Sequence, residues 1–180
     1  MRNALQRKRR RIFICLGAMG ITWLVMGILM AILGTAPFGD HSLAIADAKV
    51  QYLDFFHYYK DVLDGNNSII YSLTNGMGSN SIGLFSYYLA SPLNLILFFF
   101  DSAQMNTVID ILIFLKIGLA SGSFACFLQG RLYDRLSPLF TVLLSVCYGL
   151  MHYSFFNGSN VMWLDGMVLL PLMLLGTHLT

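Results

Sequence analysis

A run of 22 residues without a charged side chain, residues 12–33, constrains this chain more than any other feature. A helix needs about 20 apolar residues to cross the hydrocarbon core of a bilayer, so the run predicts a first transmembrane helix over residues 12–33. Six basic residues precede it in MRNALQRKRRR, residues 1–11. Basic residues beside a membrane helix favour the cytoplasmic side, so residues 1–11 are predicted to be a basic cytoplasmic tail. The alternative is a nucleic-acid-binding arm, but direct continuity with the apolar run favours a membrane anchor, and no nucleic-acid partner is expected.

The rest of the chain has the composition of an integral membrane protein. The 180 residues are 57% hydrophobic and 11% charged, whereas soluble domains have about 25% charged residues. Three further apolar stretches predict a second transmembrane helix at 107–130, a third at 138–156 and a fourth at 161–178. The predicted fold class is therefore an all-α, multi-pass integral membrane protein with about four transmembrane helices.

The segment between the first two predicted spans, residues 34–106, is predicted to be extracytoplasmic by the positive-inside rule. Its stretch IADAKVQYLDFFHYYKDVLDG, residues 45–65, carries an unusual share of the charges. Residues 48–64 predict an amphipathic helix on the membrane surface, with Asp47 as its N-cap and Gly65 as its C′ glycine. Its predicted apolar face contains Val50, Leu53, Phe56 and Leu63. Polar side chains align on one stripe of the other face: Asp47, Gln51, Asp54 and Tyr58.

Two later stretches leave alternatives open. NGMGSNSIG, residues 75–83, fits a tight turn better than a phosphate-binding loop, because no strand–helix context surrounds it. Residues 82–100 are long enough to cross the membrane, but Pro92 and Asn94 interrupt them. A crossing would place Arg131 and Arg135 outside, and a re-entrant segment would place them inside. The positive-inside rule favours the re-entrant segment.

Two charged residues within the predicted spans are candidate functional residues, because a charge in hydrocarbon is costly. Lys116 lies about 14 Å into the second span at 1.5 Å per residue. It could meet an anionic group such as a lipid phosphate, or form a structural ion pair with a helix outside this chain. Asp165 lies about one turn inside the fourth span, where it could act with Asp47 as base and partner or hold a divalent cation. The alternative for Asp165 is a helix-start acid that interacts with the helix dipole.

The chain resembles the YfhO family of bacterial membrane proteins. The resemblance rests on DAKVQYLDFF, on YSLTNGMGSNSIGLFSYYLASPLNLILFFF, on LK in the second span and on MWLDGMVLLPL in the fourth. It implies a fold like the N-terminal part of GT-C-type glycosyltransferases: a first span, an outer loop with juxtamembrane helices at 48–64 and 82–100, and then a bundle of spans. Because that family is longer, the resemblance implies that the rest of the protein is missing and that this chain alone is inactive.

The resemblance further implies a glycosyltransferase of the bacterial cell membrane. The sugar donor would be a polyprenyl-phosphate-linked sugar in the membrane lipid, and the acceptor a cell-envelope glycopolymer such as teichoic or lipoteichoic acid. Asp47 and Asp165 would be catalytic. The expected substrate-binding residues are Gln51, Tyr52, Asp54, Tyr58 and Lys116. Whether the reaction uses a divalent cation stays open.

Two other readings compete with the transferase. A transporter or flippase subunit would also need Lys and Asp within its spans, but it predicts inverted repeats, and this chain has no paired counterpart to its broken segment. A non-catalytic membrane scaffold predicts that changing Asp47 has no effect. The transferase reading depends on Asp47 and Asp165 meeting at one extracytoplasmic cleft, which the surface helix would cover.

Overall fold

The computed structural model describes residues 2–73, 77–132 and 135–179, and it is predominantly α-helical. The α-helices of the described residues are α1 (Arg2–Leu33), α2 (Leu53–Leu63), α3 (Ile82–Leu84), α4 (Met105–Arg131), α5 (Pro138–Gly149), α6 (His152–Phe156) and α7 (Val161–Leu179). Ala48–Tyr52 and Phe85–Leu89 are π-helical, and Pro92–Phe99 and Ser102–Gln104 are 3-10 helices. Strands β1 (Tyr71–Ser72) and β2 (Ser79–Asn80) pair in an antiparallel hairpin.

Four segments of the described residues are long and apolar enough to cross a membrane: Gln6–Leu33, Ser102–Arg131, Pro138–Phe156 and Val161–His178. They confirm the prediction of an all-α integral membrane protein with about four membrane-spanning helices. The second segment begins at Ser102, before the predicted start at 107. Asp101 and Gln104 form a capping box there, which satisfies free backbone N–H groups at the helix start.

Residues 82–99 form two helical halves, Ile82–Leu89 and Pro92–Phe99, that bend by 98° at their break. Proline disfavours helical backbone in the residue before it, and Ser91 is accordingly extended with φ −60° and ψ 127°. Asn94 Nδ2 then donates to the Leu89 carbonyl oxygen at 3.2 Å, which satisfies a carbonyl that the break leaves without a helical partner. A bend of this size fits either a broken span or a re-entrant segment, so the re-entrant segment stays a prediction.

The described residues form two compact units. The first comprises the described parts of 1–33, 113–158 and 163–180, in which α1 packs against α5. Helix α4 also approaches α1 closely, since a Cβ added to Gly118 would lie 1.9 Å from Trp23 Nε1. Small residues four apart, here Gly118 and Gly122, allow such close packing of membrane helices. Because the two helices lie this close, Trp23 Nε1 can donate a hydrogen bond to the Phe114 carbonyl oxygen at 3.1 Å.

The second unit comprises the described parts of 34–112 and 159–162. Its core is built around the fully buried side chains of Tyr52, Phe56, Leu89 and Leu97. Of the predicted 75–83 turn, residues 75 and 76 lie outside the described residues. The part that follows includes β2, which pairs with β1, and the start of α3.

Candidate functional site

The segment that follows Asp47 begins with the π-helical turn Ala48–Tyr52 and continues as α2. A π-helix bonds each residue to the fifth rather than the fourth neighbour, so it rotates the following residues relative to an α-helix. On the predicted apolar face, Phe56 is buried, Leu53 and Leu63 are half-buried, and Val50 is 66% exposed. Contact of this face with the membrane surface stays a prediction. The buried face consists of Ala48, Tyr52, Phe56, Tyr59 and Lys60.

Asp47 occupies the N-cap position of this segment, as predicted, but it does not act as a cap. Its backbone is α-helical, with φ −60° and ψ −33°, and its side chain makes no capping hydrogen bond. The carboxylate is half-buried and has no hydrogen bond or ion pair within the described residues. The preceding Ala46 has a φ of +47°, a left-handed conformation that costs a non-glycine residue about 1–2 kcal/mol. The carboxylate oxygens of Asp47 are therefore available to accept a hydrogen bond, and the residue before Asp47 has a strained backbone.

Asp110, a fully buried residue of α4, fixes the chain just before Asp47. Its Oδ1 accepts hydrogen bonds from the Ser42 hydroxyl at 2.9 Å and from the Leu43 N–H at 2.8 Å. Sequence reasoning did not assign Asp110 to the site, and the one available signal was a carboxylate one turn into a predicted span. We infer that Asp110 positions the segment that carries Asp47.

Two of the predicted substrate-binding residues, Gln51 and Tyr52, lie in the π-helical turn. Tyr52 is 0% exposed, and its hydroxyl accepts a hydrogen bond from the Met162 N–H at 3.3 Å. Burial raises the pKa of Tyr52, so it stays a neutral phenol. Its ring has no exposed face, which fits a packing role better than the predicted stacking on sugar. Gln51 is half-buried, and its Oε1 accepts from the Tyr88 hydroxyl at 3.4 Å.

The other two predicted residues of the polar stripe, Asp54 and Tyr58, line a cavity beside α2, here called the α2 cavity. Its volume is about 470 Å³. The lining includes Asp54, Phe55, His57, Tyr58, Asp61 and Ser81. The Tyr58 hydroxyl donates to the Ser68 carbonyl oxygen, which fixes its ring. The polar stripe thus contributes to a concave surface.

Lys116 and Asp165 form an ion pair within the first unit. Lys116 Nζ lies 2.8 Å from Asp165 Oδ2, and the two side chains are 1% and 25% exposed. The anionic partner of Lys116 therefore lies within this chain. The sequence alone had predicted that a structural ion pair would involve a helix outside the chain. The pair joins α4 to α7, and it provides the compensation that a buried charge requires.

The predicted site residues are thus distributed over both units. Asp47, Gln51, Tyr52, Asp54 and Tyr58 belong to the second, and Lys116 and Asp165 belong to the first. That Asp47 and Asp165 share one cleft stays a prediction. Within the described residues no group of three or more His, Cys, Asp or Glu side chains is arranged to hold a metal ion.

Comparison with known proteins gives one family. The family model described as "Bacterial membrane protein YfhO" matches residues 18–179. Searches of the curated proteins and of the solved structures gave no match.

Proposed function

The chain belongs to the YfhO family of bacterial membrane proteins. From this premise we propose that it functions as part of a membrane glycosyltransferase. The enzyme moves a sugar from a polyprenyl-phosphate donor to a cell-envelope glycopolymer such as teichoic acid. In this proposal the N-terminus is cytoplasmic, and the region 34–106 lies on the outer face, where the glycopolymer is accessible. The six basic residues ahead of the first span support this orientation.

The availability of the Asp47 carboxylate is the observation that carries the proposal. A general base must have a lone pair free to accept the proton of the attacking hydroxyl. Asp47 is half-buried, has no hydrogen-bond partner within the described residues and follows a strained residue. Asp110 holds the preceding residues by two hydrogen bonds, so the carboxylate is supported by a fixed backbone. Strained backbone of this kind is concentrated at functional sites.

The proposed step transfers one sugar and one proton. Asp47 accepts the proton of an acceptor hydroxyl, and the hydroxyl oxygen forms a bond to the anomeric carbon of the sugar. The bond between that carbon and the phosphate oxygen breaks at the same time. The electron pair leaves with the polyprenyl phosphate, which is stable as an anion, so no proton needs to be supplied to the leaving group.

Lys116 and Asp165 have a more limited role in this proposal than the sequence alone indicated. Because Lys116 Nζ already binds Asp165 Oδ2, it is not the free cation that a phosphate leaving group needs. Asp165 is the more exposed member of the pair and remains the candidate second acid. The ion pair fixes its side chain.

A transporter or flippase is the second candidate, and the same ion pair favours it. Ionisable residues within membrane spans often line the pathways of transported substrates. This reading predicts movement of a lipid-linked sugar across the membrane without formation of a new glycosidic bond. The transporter or flippase reading does not require Asp47 to act as a base.

The proposal is tested with the protein as its gene encodes it, reconstituted in liposomes with radiolabelled polyprenyl-phosphate hexoses and isolated cell-envelope glycopolymer. The proposal predicts label in the polymer that depends on the protein. Protein-dependent movement of the donor between leaflets, without label in the polymer, would replace the transferase by the flippase. Neither label nor movement with any donor of the panel would overturn both.

A further inference from the structure

Five consecutive basic residues of α1, residues 7–11, lie directly beside the apolar run 12–33. They are here called the basic collar, and every one of them is exposed. No acidic residue of this chain precedes Asp40, so neighbours in the sequence do not neutralise the collar. Like charges three and four residues apart, as Arg7 is from Arg10 and Arg11, destabilise a helix. An anionic partner would relieve this repulsion.

The basic collar lies at the depth of the lipid headgroups. The uncharged run 12–33 contains 22 residues, and at 1.5 Å per residue it is about 33 Å long, which matches a hydrocarbon core of about 30 Å. The collar rises by about 6 Å over its four steps, and the headgroup layer on each side of the core is about 5–7 Å thick. Lipid phosphates therefore lie at the level of the collar side chains.

Two residues of the collar, Lys8 and Arg9, lie in line with an exposed apolar surface of the span. Ile12 follows Lys8 by four residues. Phe13 follows Arg9 at the same spacing, so each pair lies on one side of the helix. Ile12 is 49% exposed, Phe13 is 71% exposed, and Leu16, which continues both rows, is 54% exposed. A lipid whose acyl chains lie on these three side chains has its phosphate beside Lys8 and Arg9.

Two other residues of the collar, Arg7 and Arg10, lie in line with the packed side of α1. Ile14 follows them by seven and four residues, which places all three on one side of the helix. Ile14 is 8% exposed, and Ala18, one turn further along, is 0% exposed. The Ser121 hydroxyl of α4 donates to the Ala18 carbonyl oxygen at 3.3 Å. Protein therefore occupies the place where the acyl chains of a lipid beside Arg7 or Arg10 would lie.

The charges of Lys8 and Arg9 select the headgroup. Neither side chain forms an ion pair within the described residues, so both cations are available. The Arg9 guanidinium can donate two parallel hydrogen bonds to a phosphate, and the Lys8 ammonium adds a compact positive charge. The collar repels the cationic group that a zwitterionic lipid also carries, so it favours a lipid with a net negative charge. Because the collar lies within the headgroup layer, lipids reach it more readily than a nucleic acid does.

We propose that Lys8 and Arg9 bind the phosphate of an anionic phospholipid whose acyl chains lie along Ile12, Phe13 and Leu16. This inference is independent of the proposed function, and it holds whichever side of the membrane the basic collar occupies. The bound lipid compensates the like charges of the collar, and it thereby stabilises α1 at the membrane surface.

Lipid binding is measured by native mass spectrometry on the protein as its gene encodes it, purified in detergent and titrated with dioleoylphosphatidylglycerol or dioleoylphosphatidylethanolamine. The unmodified protein should bind the anionic phosphatidylglycerol more tightly. Each basic residue near an anionic lipid surface contributes about fivefold to the affinity, so Lys8→Gln/Arg9→Gln should weaken phosphatidylglycerol binding by about 25-fold. The matched control Arg7→Gln/Arg10→Gln removes the same charge from the packed side, and it should weaken this binding by less than about fivefold.

Because all four replaced side chains are exposed, both double variants should have the far-UV circular dichroism spectrum of the unmodified protein. A loss of binding with this spectrum is then a loss of contacts with the lipid. Equal losses in the two double variants, or equal affinity of the unmodified protein for the two lipids, would overturn the proposal. Soluble glycerol 1-phosphate that binds as tightly as phosphatidylglycerol would contradict a role for the apolar surface. Displacement of phosphatidylglycerol by a short DNA duplex would replace the lipid by a nucleic acid.

Discussion

Replacing Lys116 by methionine would leave the Asp165 carboxylate without the cation that lies 2.8 Å from it. Replacing Asp165 by leucine would leave an ammonium group that is only 1% exposed. The structure therefore predicts that both single variants are destabilised, and that the double variant Lys116→Met/Asp165→Leu is close to the unmodified protein. Both replacements are apolar, so the double variant suits a membrane interior.

The magnitudes follow from the burial of each partner. Breaking a buried ion pair by removing one side costs about 3–5 kcal/mol, whereas replacing both sides by apolar residues is often neutral. Asp165 is 25% exposed and keeps some access to polar surroundings, so Lys116→Met should cost about 3 kcal/mol. Lys116 has almost no such access, so Asp165→Leu should cost about 5 kcal/mol. The order of the two variants is thus a prediction in itself.

The free energy of unfolding is measured by far-UV circular dichroism in mixed micelles as SDS is added. Lys49→Met is the matched control, because Lys49 is exposed and has no ion pair within the described residues. It should change the free energy of unfolding by less than about 0.5 kcal/mol. Single variants as stable as this control, or a double variant less stable than either single one, would refute the assignment of Lys116–Asp165 as a structural pair.

Three further perturbations test other parts of the structure. Asp110→Ala removes the acceptor of the Leu43 N–H hydrogen bond and should lower the free energy of unfolding by about 1–3 kcal/mol in the same SDS titration. An unchanged free energy of unfolding would contradict the role of Asp110 in fixing the segment before Asp47. Gly118→Ala should lower it by about 1–3 kcal/mol, because the added Cβ overlaps the Trp23 indole, whereas Gly20→Ala meets nothing within 4 Å and should leave it nearly unchanged; equal effects of the two would count against the close approach of α1 and α4. Oxidation by copper phenanthroline should join Cys15 and Cys126, whose sulfur atoms lie 3.1 Å apart, and so reduce the titratable thiols of the denatured protein from three to one; three remaining thiols would contradict the contact.

The sequence predicted the membrane spans because their signal is local. Hydrophobic length alone is enough to predict a spanning helix. The broken segment was predictable as well, because Pro92 restricts the backbone of Ser91 wherever the segment lies. Both predictions follow from neighbours along the chain and needed no tertiary contact.

The side-chain partners could not be predicted, because they depend on contacts between distant parts of the chain. Lys116 and Asp165 were each recognised as unusual, but 49 positions separate them, and nothing in the sequence pairs them. The link from Asp110 to Leu43 was missed for the same reason. The π-turn that begins the segment after Asp47 was not predicted, because a period of 3.6 residues assumes a regular α-helix.

Sugar transfer by Asp47→Asn tests the central claim most directly. The variant and its matched control Asp40→Asn, which changes an exposed aspartate of the same unit, are compared with the unmodified protein, each as its gene encodes it, in liposomes with labelled donor and glycopolymer. A general base contributes about 10²–10⁴-fold to a rate, so Asp47→Asn should transfer sugar at least about 100-fold more slowly, and Asp40→Asn should transfer it at the unmodified rate. Transfer by Asp47→Asn at the rate of the control would contradict the assignment of Asp47 as the catalytic base.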